Sequence, residues 1–147
     1  MGKEDLTDGL VTGLFFRTVD IPVNRESKMS SFRAFKKAME KLQSGITMIV
    51  FPEGKISDDY PPQLHAFKNG PFRLAIEAGV PIVPVTSLNN WKLLWDTGTK
   101  YGSKPGVCHI YIHKPIETKH LTVDDADSLR DKVYRIMKEK FEEQISF

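Results

Sequence analysis

The chain has 147 residues, 40% of them hydrophobic and 27% charged, with a formal net charge of +2. That length suits one domain able to bury roughly two thirds of its unfolded surface, so a core needs no staples. The small charge gives no argument for a nucleic-acid partner, the absence of eighteen consecutive apolar residues excludes a membrane-spanning helix, and a single cysteine excludes an internal disulfide.

Residues 10–16 form an apolar patch, Leu10 to Phe16, interrupted by Gly13. The run Val19-Asp-Ile-Pro-Val-Asn24 predicts a short strand, with Pro22 confining it to an edge or a bulge. Ser30 or Ser31 is positioned to cap a helix over 32–43, where Phe32, Phe35, Ala38, Met39 and Leu42 recur at three- and four-residue steps and Gly45 follows as the stop. Ile46 to Phe51 is a nearly continuous apolar run rich in β-branched residues. It predicts a strand buried on both faces, delivering the chain into a turn at Phe51-Pro52-Glu53-Gly54. Residues 55–66, with Pro61 and Pro62, read as a loop.

Pro71 suits the first turn of a helix that ends near Ala78, with Gly79 just beyond it. Ile82 to Thr86 predicts another strand, residues 89–105 an irregular excursion, and Val107 to His113 a further strand. Cys108 reads as a small core residue, facing away from His109 and His113 by strand alternation, so no metal and no cofactor are assigned. Thr122, Asp124 or Asp125 caps a last helix with Leu129, Val133, Ile136, Met137 and Phe141 on one face. Strands alternating with helices predict an α/β fold, a largely parallel or mixed sheet flanked by helices, in a single partial domain over residues 1–147. Sites in such folds form beyond the carboxyl ends of strands, where Phe51 to Ser57 lies.

Three segments in order carry a resemblance. Val19-Asp-Ile-Pro-Val-Asn-Arg25 precedes Val50-Phe-Pro-Glu-Gly-Lys-Ile-Ser57, and Phe67-Lys-Asn-Gly follows and continues through Val80-Pro-Ile-Val-Pro-Val85. They resemble the second, third and fourth blocks of the 1-acyl-glycerol-3-phosphate (lysophosphatidate) acyltransferase family. The resemblance implies transfer of a fatty acyl group from acyl-CoA or acyl carrier protein to the free hydroxyl of a lysophospholipid. It also implies a place at the cytoplasmic face of a membrane. The acceptor site it implies comprises Arg25, Glu53, Gly54, Lys55 and Lys68, with Phe51, Pro52, Pro81 and Pro84 as acyl-pocket or structural residues.

The side chains suit those roles. A guanidinium at Arg25 pairs with a phosphate through two hydrogen bonds, as a lysine cannot. A glycine at 54 leaves the backbone bare, so that amides can approach an anion. Lys55 and Ile56 depart from the family's usual Thr and Arg, which removes one phosphate donor and leaves Lys55 as a substitute charge.

The family's first block, His-x-x-x-x-Asp, holds the general base and the residue that orients it. No histidine precedes Arg25, and His120 with Asp125 reproduces only the spacing, in the wrong place. The expectation is therefore an N-terminally incomplete domain that is inactive by itself, with Leu10 to Phe16 exposed where lost elements would lie. The alternative is a non-catalytic lipid- or phosphate-binding homologue at a membrane surface.

Overall fold

The computed structural model describes residues 2–3, 21–23, 28–55, 62–95 and 102–145. Arg25 and the patch Leu10 to Phe16 lie outside them. In chain order the elements are β1 (Gly2–Lys3), β2 (Pro22–Val23), α1 (Lys28–Gln43), α2 (Gly70–Ala78), β3 (Val85–Ser87), α3 (Asn90–Leu93), β4 (Ile110–Ile112), a 3-10 turn (Val123–Asp125) and α4 (Ala126–Ile145). β1 pairs with β2 in parallel, and β3 with β4 antiparallel, with Val85 opposite Ile112. The architecture is α/β with mixed pairing.

Local chemistry accounts for the helix ends. α1 closes at Gly45, whose φ is 83°; its N–H donates to the Leu42 carbonyl and the N–H of Ile46 to that of Lys41, both at 3.0 Å. Only glycine adopts that backbone without strain. α2 ends in the same way, with Val80 N–H donating to Ala75 O at 3.1 Å beyond Gly79. α1 begins before Ser30 and Ser31, so neither is its cap. Thr122 caps the 3-10 turn reciprocally with Asp125, which leads into α4.

Two apolar clusters meet on α2. Leu74 packs with Ile21, Ala34 and Ala38, joined by Phe35, Met39, Leu42 and Met48. The small side chains of Ala34 and Ala38, one helical turn apart, let α1 approach α2 closely. Phe32, expected on this stripe, instead stands 67% exposed. On the opposite side of α2, Phe72 and Ile76 pack with Phe67, Ala126, Leu129 and Val133. A nine-residue helix that is apolar on both sides is thus sandwiched, as its sequence requires.

Among the described residues the predicted strand at Ile46 to Phe51 pairs with no other strand. Met48 packs against the α1–α2 cluster, while Ile46, Ile49 and Phe51 are exposed. Burial on both faces requires covering elements on both, and among the described residues only one side is covered. The second predicted strand contracts to β3 plus a bridge between Ile82 and Ile116, because Pro84 has no N–H to give the ladder; its carbonyl accepts from His113 N–H at 3.0 Å. Cys108, expected in the core, is exposed, as are Val107 before it and Ile110, Tyr111 and Ile112 of β4, so this stretch of chain lies on the surface.

Thr118 is completely buried, and its hydroxyl donates to Val80 O at 2.8 Å with Ala75 O at 3.2 Å. It ties the segment after β4 to the end of α2. Thr118→Val keeps the shape but orphans buried carbonyl capacity, so it is expected to lower unfolding free energy by about 1–3 kcal/mol in urea titrations.

Candidate functional site

The turn after the apolar run is closed by Gly54 N–H donating to Phe51 O at 3.2 Å, and Gly54 has φ of 66°. Loop 62–69 lies against it. His65 N–H donates to Glu53 Oε2 at 2.8 Å, and Lys68 N–H donates to Pro52 O at 2.8 Å. The stem of Lys68 passes over Gly54. A Cβ on that glycine would stand 3.5 Å from Lys68 Cγ and 3.9 Å from its Cε.

The loop's other side is anchored in the core. Phe67 is buried, with its ring centroid 6.2 Å from that of Phe72 and 5.2 Å from that of Tyr134, edge to face in the second case. The Tyr134 hydroxyl donates to Leu64 O at 3.1 Å. Buried Phe67 and exposed Lys68 are neighbours, so fixing one aims the other outward. Lys68 precedes Asn69 and the start of α2, where helix amides and the helix dipole favour an anion.

The structure therefore brings together Pro52, Glu53, Gly54 and Lys68. Lys55 is exposed at the edge of the same turn. Arg25 lies outside the described residues, so its convergence with this turn is undescribed. Phe51 is 76% exposed, Pro81 is exposed and Pro84 is buried.

The sequence reading missed the part played by loop 62–69. Its contributions are backbone groups, the amides of His65 and Lys68 and the carbonyl of Leu64, and no residue-type pattern encodes them. Tyr134 was the readable signal: an aromatic with a polar tip on a core-facing helix usually has a partner for its hydroxyl.

The remaining histidines have other surroundings. The Asp125 carboxylate accepts from Thr122 N–H at 2.8 Å and from its hydroxyl at 2.8 Å. The backbone bond first, then the hydroxyl, holds Asp125 below the usual carboxylate range. His120 and Asp125 line a depression with Ile116, Leu121 and Lys132 that shares no residue with the Phe51–Gly54 turn. His113 Nε2 lies 2.9 Å from Thr86 Oγ1 and its ring stands edge-on to Tyr111, whose face carries Lys140 Nζ at 4.7 Å.

Burial, then the charge of Lys140, pushes His113 below its ordinary value. A depressed histidine binds fewer protons folded than unfolded, so its contribution is complete above pH ~6.5 and is lost as pH falls toward and through the folded value. His113→Gln is expected to flatten the fall in urea midpoint between pH 7.5 and pH 5.5. An unchanged pH profile would remove His113 from that account.

The acyltransferase family model matches residues 1–88. The chain is 35% identical over 96 residues to a chloroplastic 1-acyl-sn-glycerol-3-phosphate acyltransferase of Brassica napus, covering 65% of this chain and 27% of that protein. It is 31% identical over 106 residues to 1-acyl-sn-glycerol-3-phosphate acyltransferase alpha of Mus musculus, covering 72% of this chain and 36% of that protein. The crystal structure of the 1-acyl-sn-glycerophosphate acyltransferase PlsC from Thermotoga maritima superimposes with a TM-score of 0.76 at 30% identity, covering 97% of this chain and 54% of that one. The chain thus spans from about a quarter to about half the length of these relatives.

Proposed function

Because the chain belongs to the acyltransferase family, we propose that it forms the acceptor-binding part of a glycerolipid O-acyltransferase. The reaction moves a fatty acyl group from acyl-CoA or acyl carrier protein to the free hydroxyl of a lysophospholipid such as 1-acyl-glycerol-3-phosphate. The observation that carries the reading is the juxtaposition of Lys68 with the bare Gly54 backbone, beside the start of α2. A cation, a glycine turn and a helix start together suit a phosphate monoester. Arg25, Glu53 and Lys55 complete the proposed acceptor site, with Phe51, Pro52, Pro81 and Pro84 as acyl-pocket or framework residues.

In this reaction the acceptor oxygen attacks the thioester carbonyl carbon. The ester C–O bond forms, the C–S bond breaks, and the proton taken from the hydroxyl passes to the leaving thiolate. The base for the first transfer is the histidine of a His-x-x-x-x-Asp block, which these 147 residues do not contain ahead of Arg25. The chain's own residues accordingly hold the acceptor and carry out no proton transfer. No cofactor is required beyond the acyl thioester as co-substrate. The acceptor and its product are lipids, so the site works at a membrane surface, on the cytoplasmic face where such acyl thioesters are supplied. No described helix is long and apolar enough to cross a membrane.

The same missing base favours a second reading, a non-catalytic lipid- or phosphate-binding homologue. Both predict binding, and they part on catalysis. The binding test is titration of the 15N-labelled chain with sn-glycerol 3-phosphate, and with glycerol as control. Amide shifts are expected at residues 51, 53–55 and 68, and Lys68→Ala should weaken binding by roughly tenfold or more, the worth of a charge-assisted contact. Equal response to glycerol, or an unchanged affinity in K68A, would sink the assignment.

A further inference from the structure

Glu53 has a defined bond that a ligand-binding role does not explain. Its Oε2 accepts from the backbone N–H of His65, twelve residues on, at 2.8 Å. Beside it the Lys68 N–H meets the Pro52 carbonyl, also at 2.8 Å. These two bonds join loop 62–68 to the Phe51–Gly54 turn and bring Lys68 over Gly54. Among the described residues no ion pair joins Glu53 to Lys55 or Lys68. The carboxylate is thus engaged with a backbone amide.

We propose that Glu53 is a positioning residue, a strut whose carboxylate holds loop 62–68 against the Phe51–Gly54 turn and so sets the Lys68 ammonium above Gly54. This rests on the acceptor-site reading given above. Bringing residues twelve apart in the chain together costs conformational entropy, and a charge-assisted bond to an amide is among the stronger ways to offset it. Phe67 and Tyr134 hold the core side of the same loop, so with the strut in place Lys68 is fixed from two directions. Without it, one side is released and the lysine, exposed and rich in rotamers, loses its place over the turn.

The strut and direct ligand contact make different demands on residue 53. A strut needs an acceptor oxygen, which glutamine retains, and a donor amide at 65, which proline abolishes. Direct contact needs the charge and is indifferent to that amide. The experiment uses the 15N-labelled 147-residue chain and its variants Glu53→Gln, Glu53→Ala, His65→Ala and His65→Pro. It reads amide hydrogen exchange at His65 and Lys68 and affinity for sn-glycerol 3-phosphate.

E53A is expected to speed exchange of both amides and weaken binding, each by roughly tenfold, the worth of one such bond. E53Q should rescue most of both losses. H65P should reproduce the binding loss of E53A, and H65A, which keeps the amide, should weaken binding far less. Should H65P not fold, the contrast between E53A and E53Q decides. The proposal is overturned if E53A leaves the two amides protected, or if E53Q loses as much binding as E53A while its His65 amide stays protected. If the wild-type chain binds no glycerol 3-phosphate but E53A still exposes the His65 amide, the strut stands and the acceptor-site reading fails.

Discussion

Incubated with an acyl-CoA and 1-acyl-glycerol-3-phosphate, the 147-residue chain is expected to release no free thiol above the uncatalysed rate. General-base assistance is worth ~10²–10⁴-fold, and a polypeptide without it holds an acceptor hydroxyl that stays protonated and weakly nucleophilic. The chain's four histidines, His65, His109, His113 and His120, all follow Arg25 in the sequence. His113 is beside Thr86, His120 is near an Asp125 whose carboxylate is engaged by Thr122, and His109 N–H donates to Asn89 Oδ1 at 2.7 Å. His65 adjoins the turn, through its backbone amide.

The assay is thiol release with labelled lysophosphatidate as acceptor, run on this chain and on a fusion that places a His-x-x-x-x-Asp segment ahead of Met1. Gain of transfer in the fusion, abolished by changing that histidine, supports the enzyme. Continued silence there favours the non-catalytic homologue. Sustained transfer by the unfused chain would refute the expectation and make His65 the first residue to replace.

Phe72→Ala is expected to cost about 3–5 kcal/mol, the range for truncating a buried aromatic. Phe72 is only 2% exposed and stacks near Phe67, in the cluster that joins α2 to α4 through Ile76, Leu129 and Val133. The cavity lies under a helix sandwiched between two clusters, with little freedom to collapse from either side. For a domain of this size that loss is a large share of total stability, about 5–15 kcal/mol. The fall in urea midpoint should exceed that of Phe51→Ala, whose exposed ring contributes little, expected within about 0.5 kcal/mol. A second consequence concerns the site. Phe67 and Phe72 flank Lys68 and Asn69, so emptying the Phe72 position loosens the packing that aims Lys68. Glycerol 3-phosphate binding should therefore weaken in F72A even where the chain remains folded. Equal midpoints for F72A and F51A would show that the α2–α4 cluster is not where the fold's stability resides.

The limits of a one-dimensional reading are visible at particular residues. Gly54 and Lys68 both lie in segments whose residue types resemble a known family, and the structure sets the Lys68 stem beside Gly54. The loop that unites them was not legible, since its bonds are made by amides and carbonyls that every residue possesses. Phe32 has the spacing of a core residue yet faces outward, because Ala34 and Ala38 take the close approach of α1 to α2. Periodicity defines a stripe on a helix, but which edge of the stripe is covered depends on the width of the partner.

The sequence by itself determined where α1 and α2 end, that a capping group within Thr122 to Asp125 precedes α4, and that the chain alternates strand-like and helical segments. Gly45, Gly79, Pro71 and the Thr122–Asp125 pair act through their own backbone and nearest neighbours, so no distant contact is needed to read them. Only the tertiary structure decided that Ile49 and Phe51 face outward, that Cys108 is exposed, and that Glu53 holds the amide of His65. Each of those outcomes depends on which remote segment lies alongside. A side chain's burial and a carboxylate's partner are set by the packing of elements far apart in the chain, which residue types and spacing do not record.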